Sequence, residues 1–94
     1  MSAPPTKTLT REQIHNAIWS LAAKRTDKDP KELQPSQRLI QDLGADSLDM
    51  AEFAMELEEQ LGITLPNEVN ENPNLSLGEI EQALFDKFGK PANS

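Results

Sequence analysis

Thr10 with Gln13, Asp46 with Asp49, and Ser76 with Glu79 repeat one device three times. In each, a short oxygen-bearing side chain is followed three places later by an amide or carboxylate, just ahead of apolar residues at helical spacing. Each side chain of such a capping box takes the other residue's backbone N–H, which fixes where a helix begins. The first box opens a helix from Thr10 to about Arg25, with Ile14, Ala17, Ile18 and Leu21 as its buried stripe and Leu9 stapling the entry. The second opens a helix from about Ser47 to Leu61, capped by Gly62. The third opens a helix to about Phe88 carrying Leu77, Ile80, Leu84 and Phe88, closed by Gly89. Pro66 begins a single turn around Asn67 to Glu71, and no strand-like alternation or internal repeat of useful length appears. The chain therefore reads as all-α, a small three-to-four-helix bundle over residues 9–89, with flexible tails at 1–8 and 90–94.

Asp29-Pro30 ends the first helix, and the connector from there to Asp46 is too long to be structureless in a small domain. Leu33, Leu39, Ile40 and Leu43 are its apolar anchors, pinning it across the helices around a short turn. With 94 residues, 36% apolar and only 4% aromatic, the core must consist mostly of Leu, Ile, Ala and Met, and so small a core leaves no room for an enclosed pocket. The absence of cysteine excludes disulfides, thiolate metal sites and a protein-borne thiol nucleophile. No apolar run is long enough to span a membrane and the N-terminal residues lack a signal-peptide core, so a cytoplasmic protein is expected.

The net charge of −7 is unevenly spread. From Leu39 to Asp86 there are twelve acids and no Lys or Arg, whereas seven of the nine bases lie between Lys7 and Arg38. Nucleic-acid binding would need the opposite sign on a working face. Acidic runs usually serve only as solvated surface. Here, however, Asp49/Glu52, Glu52/Glu56 and Glu56/Glu59 are like-charge pairs at helical spacing with no lysine on that helix to offset them. A basic partner surface would account for the repulsion. Around the second helix, Met50, Phe53, Ala54, Leu57 and Leu61 share the core face. Leu48 and Met55 fall away from it, with Glu52 and Glu59 on one flank and Glu58 on the other. That apolar spot either packs under the connector or serves as a docking site.

Catalysis finds little support. His15, one turn from Trp19 and able to stack on it, is the only histidine and suits a structural role; tyrosine and cysteine are absent. No Ser-His-Asp order, metal cluster or Gly-rich phosphate loop is present, and Asp42 to Asp49 lacks the glycine and terminal glutamate of a calcium loop. No catalytic residue and no metal site is assigned. One serine remains in a telling position. Ser47 follows the capping Asp46 in the first turn of the second helix, where free N–H groups and the helix dipole favour a phosphate ester. Taken alone, Asp-Ser-Leu is simply a helix start.

The whole run Asp42-Leu43-Gly44-Ala45-Asp46-Ser47-Leu48-Asp49 with Glu52, Phe53, Met55, Leu57-Glu58-Glu59 and Gly62-Ile63-Thr64-Leu65-Pro66 resembles the acyl carrier protein family. The similarity is tightest over Leu39 to Pro66 and extends more loosely over Leu9 to Phe88. It implies a free-standing, non-enzymatic carrier whose Ser47 bears a 4′-phosphopantetheine arm taken from coenzyme A. The thiol of that arm would hold acyl groups for fatty acid, lipid or polyketide biosynthetic enzymes. It implies as partners a phosphopantetheinyl transferase and acyl-transferring and chain-elongating enzymes with basic docking surfaces. They would be read by Asp46, Leu48, Asp49, Glu52, Met55, Glu58 and Glu59 of a monomer. It further implies that long acyl chains tuck between Phe53, Ala54, Leu57 and Leu61 on one side and Ile14, Ile18, Ile80 and Leu84 on the other. Gly44-Ala45-Asp46-Ser47 differs from the Gly-Gly form of peptidyl carriers, which favours acyl cargo. An aminoacyl or D-alanyl carrier, and an acidic helical interaction module that is never modified, remain as alternatives. Asn72-Pro73-Asn74 departs from the family pattern by lengthening the segment before the last helix.

Overall fold

A computed structural model describes residues 9–72 and 74–89. The tails expected at 1–8 and 90–94, and Pro73, lie outside the described residues. The elements are α1 (Arg11–Thr26), a 3-10 turn (Pro30–Glu32), α2 (Ser47–Leu61), α3 (Asn67–Asn70) and α4 (Leu77–Phe88). No strand occurs among the described residues, and none of their helices is long and apolar enough to cross a membrane.

All three capping boxes form in both directions. The ends of the helices differ more from the sequence reading. Helix α1 runs to Thr26 because Asp27 adopts the left-handed conformation at φ 58°, with its N–H on the Ala23 carbonyl. Asp tolerates that conformation better than most side chains. Pro30 does not end α1; it opens the 3-10 turn, whose Asp29 carboxylate accepts the Lys31 N–H at 2.9 Å. Gly62 caps α2 at φ 69°, whereas Gly89 follows α4 in an extended conformation and donates its N–H to the Phe85 carbonyl.

Helix α1 lies against both α2 and α4. Ile14, Ala17, Ile18 and Leu21 of α1 share one buried cluster with Phe53, Leu57 and Leu61 of α2 and Leu77, Ile80 and Leu84 of α4. His15 stacks on Trp19 at 4.0 Å between centroids, and its Nδ1 lies 2.7 Å from Glu81 Oε1 on α4. The connector is pinned as its length required. Leu33, Leu39 and Leu43 are buried, with Ile40 partly so. Its carbonyls at Gln37 and Pro35 accept the first two N–H groups of α4, from Leu77 and Gly78, each at 2.9 Å. Gly78 makes that approach possible, since a Cβ there would sit 3.0 Å from Pro35 Cβ and 3.1 Å from its carbonyl oxygen. The extra asparagines before α4 tie this corner together: Asn72 Oδ1 accepts the Asn74 N–H at 3.0 Å, and Asn74 Oδ1 accepts from Gln41 Nε2 at 3.1 Å.

Candidate functional site

The connector ends in a turn at Gly44, φ 83°, that sends Ala45 into the core and brings Asp46 to the N-cap of α2. Upstream, Asp42 Oδ2 accepts both the backbone N–H of Arg38 (2.8 Å) and its Nε (3.0 Å). The guanidinium bond, then the backbone bond, holds the Asp42 carboxyl below the usual carboxylate range. Asp42 thus has a local structural role. Asp46 Oδ1 accepts the Asp49 N–H at 2.8 Å, and Asp49 Oδ2 the Asp46 N–H at 3.2 Å.

Ser47 is the first residue of α2 and its side is exposed. The box occupies the amide of Asp49, so the N–H groups of Ser47 and Leu48 are the ones left at this helix end for an anion. The carboxylates of Asp46 and Asp49 oppose the dipole's attraction in the same turn. A phosphodiester on Ser47 therefore fits this site when it projects into solvent, and the exposed hydroxyl is free to be joined to one.

Beside Ser47 the structure opens a cavity that shares Phe53, Ala54 and Ile80 with the space expected between the helices but reaches further, toward the connector and α3. About 290 Å³ lies between α2, α3, α4 and the connector, walled by Ile40, Met50, Phe53, Ala54, Leu65, Val69 and Ile80, with Ser47, Asn70 and Glu71 also lining it. The sequence signal was present in Leu65 and Val69, buried apolar residues four apart around the single turn after Pro66. One carboxylate, Glu71, borders the space, so it holds no acid pair for catalysis. No cluster of three or more potential metal ligands occurs among the described residues.

The residues expected to meet partners separate into groups. Leu48 and Met55 are 65% and 59% exposed, so neither packs under the connector. Glu58 Oε2 accepts the Leu65 N–H at 2.7 Å, which ties it to the loop after α2. Glu52 and Glu56 are not left to repel one another, contrary to the reading of α2 in isolation. Arg25 of α1 reaches across with Nη1 2.6 Å from Glu52 Oε1 and Nη2 2.7 Å from Glu56 Oε2, and Lys24 Nζ stands 3.4 Å from Glu56. The Arg25 hydrogen bond is the main reason the Glu56 carboxyl titrates below its usual range. Glu59 is exposed and has no hydrogen-bond partner among the described residues. Sequence reasoning missed the Arg25 fork; its only trace was a pair of bases at the end of α1 with no acid one turn before them.

A family model described as the phosphopantetheine attachment site matches residues 16–84. An acyl carrier protein of Rubrobacter xylanophilus is 41% identical over 76 residues, covering 81% of this chain and 89% of that protein. Acyl carrier proteins of Chlorobium luteolum and Chlorobium phaeovibrioides are each 29% identical over 76 residues, covering 81% of this chain and 92% of theirs.

Proposed function

Because the chain belongs to the acyl carrier protein family, we propose that it carries acyl groups on a 4′-phosphopantetheine arm joined to Ser47. The observation that carries the assignment is the placement of Ser47: an exposed hydroxyl at the first position of α2, bordering an apolar cavity. In the loading step the Ser47 oxygen forms a phosphodiester with the phosphopantetheine half of coenzyme A, the pyrophosphate bond breaks, and adenosine 3′,5′-bisphosphate leaves. The serine proton passes to a base on the transferase, since no histidine or lysine of this chain lies in the motif. When attached, the arm supplies the thiol that this cysteine-free chain lacks.

The protein's own residues then position and present that arm. Gly44 and the Asp46/Asp49 box fix the start of α2, and hence the direction in which Ser47 points. Leu48 and Met55 give a partner apolar contact, while Asp46, Asp49 and Glu59 attract its basic residues from a distance. The protein is a carrier and not a catalyst. It works as a monomer in the cytoplasm, shuttling between a phosphopantetheinyl transferase and the enzymes that transfer and elongate acyl chains. An unmodified acidic module would share the charged face but would give no reason for an apolar cavity beside Ser47.

Incubation with a broad-range transferase and coenzyme A is expected to add the mass of one arm to the wild type and none to Ser47→Ala. Modification of the alanine variant, or none of the wild type, overturns the assignment.

A further inference from the structure

Seen from solvent, the face of α2 around Leu48 and Met55 has two flanks. Glu58 on one is bonded to the Leu65 N–H. On the other, Glu52 and Glu56 stand one helical turn apart and both are held by Arg25, whose side chain is only 20% exposed. The guanidinium is forked: Nη1 meets Glu52, while Nε and Nη2 meet the two oxygens of Glu56 at 3.3 and 2.7 Å. A planar fork of this kind satisfies two carboxylates at once in a way that a lysine cannot. Arg25 also lies in the last turn of α1, where a cation suits the helix dipole.

We infer that Arg25 determines the specificity of partner docking. By holding Glu52 and Glu56 it occupies the two carboxylates midway along the acidic face, and so directs a basic partner to Asp46 and Asp49 at one end, Glu59 at the other and the Leu48–Met55 spot between them. The inference rests on the carrier reading of this face. A partner cation that sought Glu52 or Glu56 would first have to displace a guanidinium already seated there, whereas Glu59 is exposed and unpaired among the described residues. The chain thus rejects partners whose basic residues are spaced for Glu52 and Glu56.

The test uses apo protein and transferase kinetics at low salt. Arg25→Lys keeps the charge but cannot fork; Arg25→Gln removes both; Lys31→Gln, on the 3-10 turn away from α2, makes the same change in net charge without touching the acids. Loss of the fork should lower KM for the carrier by roughly two- to fivefold, the scale of one exposed ion pair. Arg25→Gln should exceed Lys31→Gln, and Arg25→Lys should fall in the same direction. In addition, Glu52→Gln should leave KM nearly unchanged when Arg25 is present and raise it when Arg25 is Gln. Equal effects of Arg25→Gln and Lys31→Gln, or of Glu52→Gln in both backgrounds, overturn the inference. Circular dichroism and melting confirm that each variant is folded, and Arg25→Lys decides the matter should Arg25→Gln fail to fold. An unmodified wild type would instead strike at the carrier reading itself.

Discussion

Gly44 holds the backbone at φ 83°, and beyond its chain neighbours no atom lies within 4 Å of where its Cβ would be. A side chain there meets no clash, only the intrinsic cost of the left-handed region, about 1–2 kcal/mol. Gly44→Ala is therefore expected to lower stability by about 1 kcal/mol in urea unfolding with an unchanged m-value; a neutral substitution would mean that the turn relaxes freely. Residues of this local kind were legible in the sequence. The three capping boxes, the His15 stack on Trp19 and the stop at Gly62 depend on neighbours one turn away or less. Arg25 was not legible, because its carboxylates lie 27 and 31 positions along the chain. Nor was the structural role of Glu58, which follows from how the loop after α2 turns back.

Helix α2 shows what periodicity can and cannot give. Its 100° spacing separated Phe53, Leu57 and Leu61, all buried, from Leu48 and Met55, both exposed. The separation predicts opposite phenotypes on one helix. Leu57→Ala, at a position with no exposed surface, is expected to cost about 2–5 kcal/mol. Leu48→Ala and Met55→Ala should leave the melting temperature within a degree or two but raise KM for the transferase severalfold, since they remove only the apolar contact offered to a partner. Unchanged kinetics in both would remove the docking role from this spot. Helix α3 lay beyond such reasoning. Four residues carry no period, and its buried Val69 gains meaning only from the space it covers.

At the scale of the whole molecule, the placement of cargo depends on where the helices leave room. The sequence suggested a space between Phe53, Ala54, Leu57 and Leu61 on one side and Ile14, Ile18, Ile80 and Leu84 on the other; Ile14, Ile18, Leu57 and Leu84 are inaccessible and closely packed, whereas Phe53, Ala54 and Ile80 line the open volume. From those three residues it extends toward Ile40, Leu65 and Val69, with Ser47 beside it. At about 290 Å³ it far exceeds the ~30 Å³ share of one water, enough for a chain of several methylenes. Each CH₂ moved there from water contributes about 0.8 kcal/mol. An acylated, arm-bearing protein should therefore melt higher than the unacylated arm-bearing protein, with a gain that grows with chain length and stops when the cavity is full. Ala54→Leu narrows the same space, so it should shorten the length at which the gain stops while leaving the unacylated form folded. If melting temperatures stay level across a series of acyl lengths, the cargo rides in solvent, and the cavity beside Ser47 has no part in holding it.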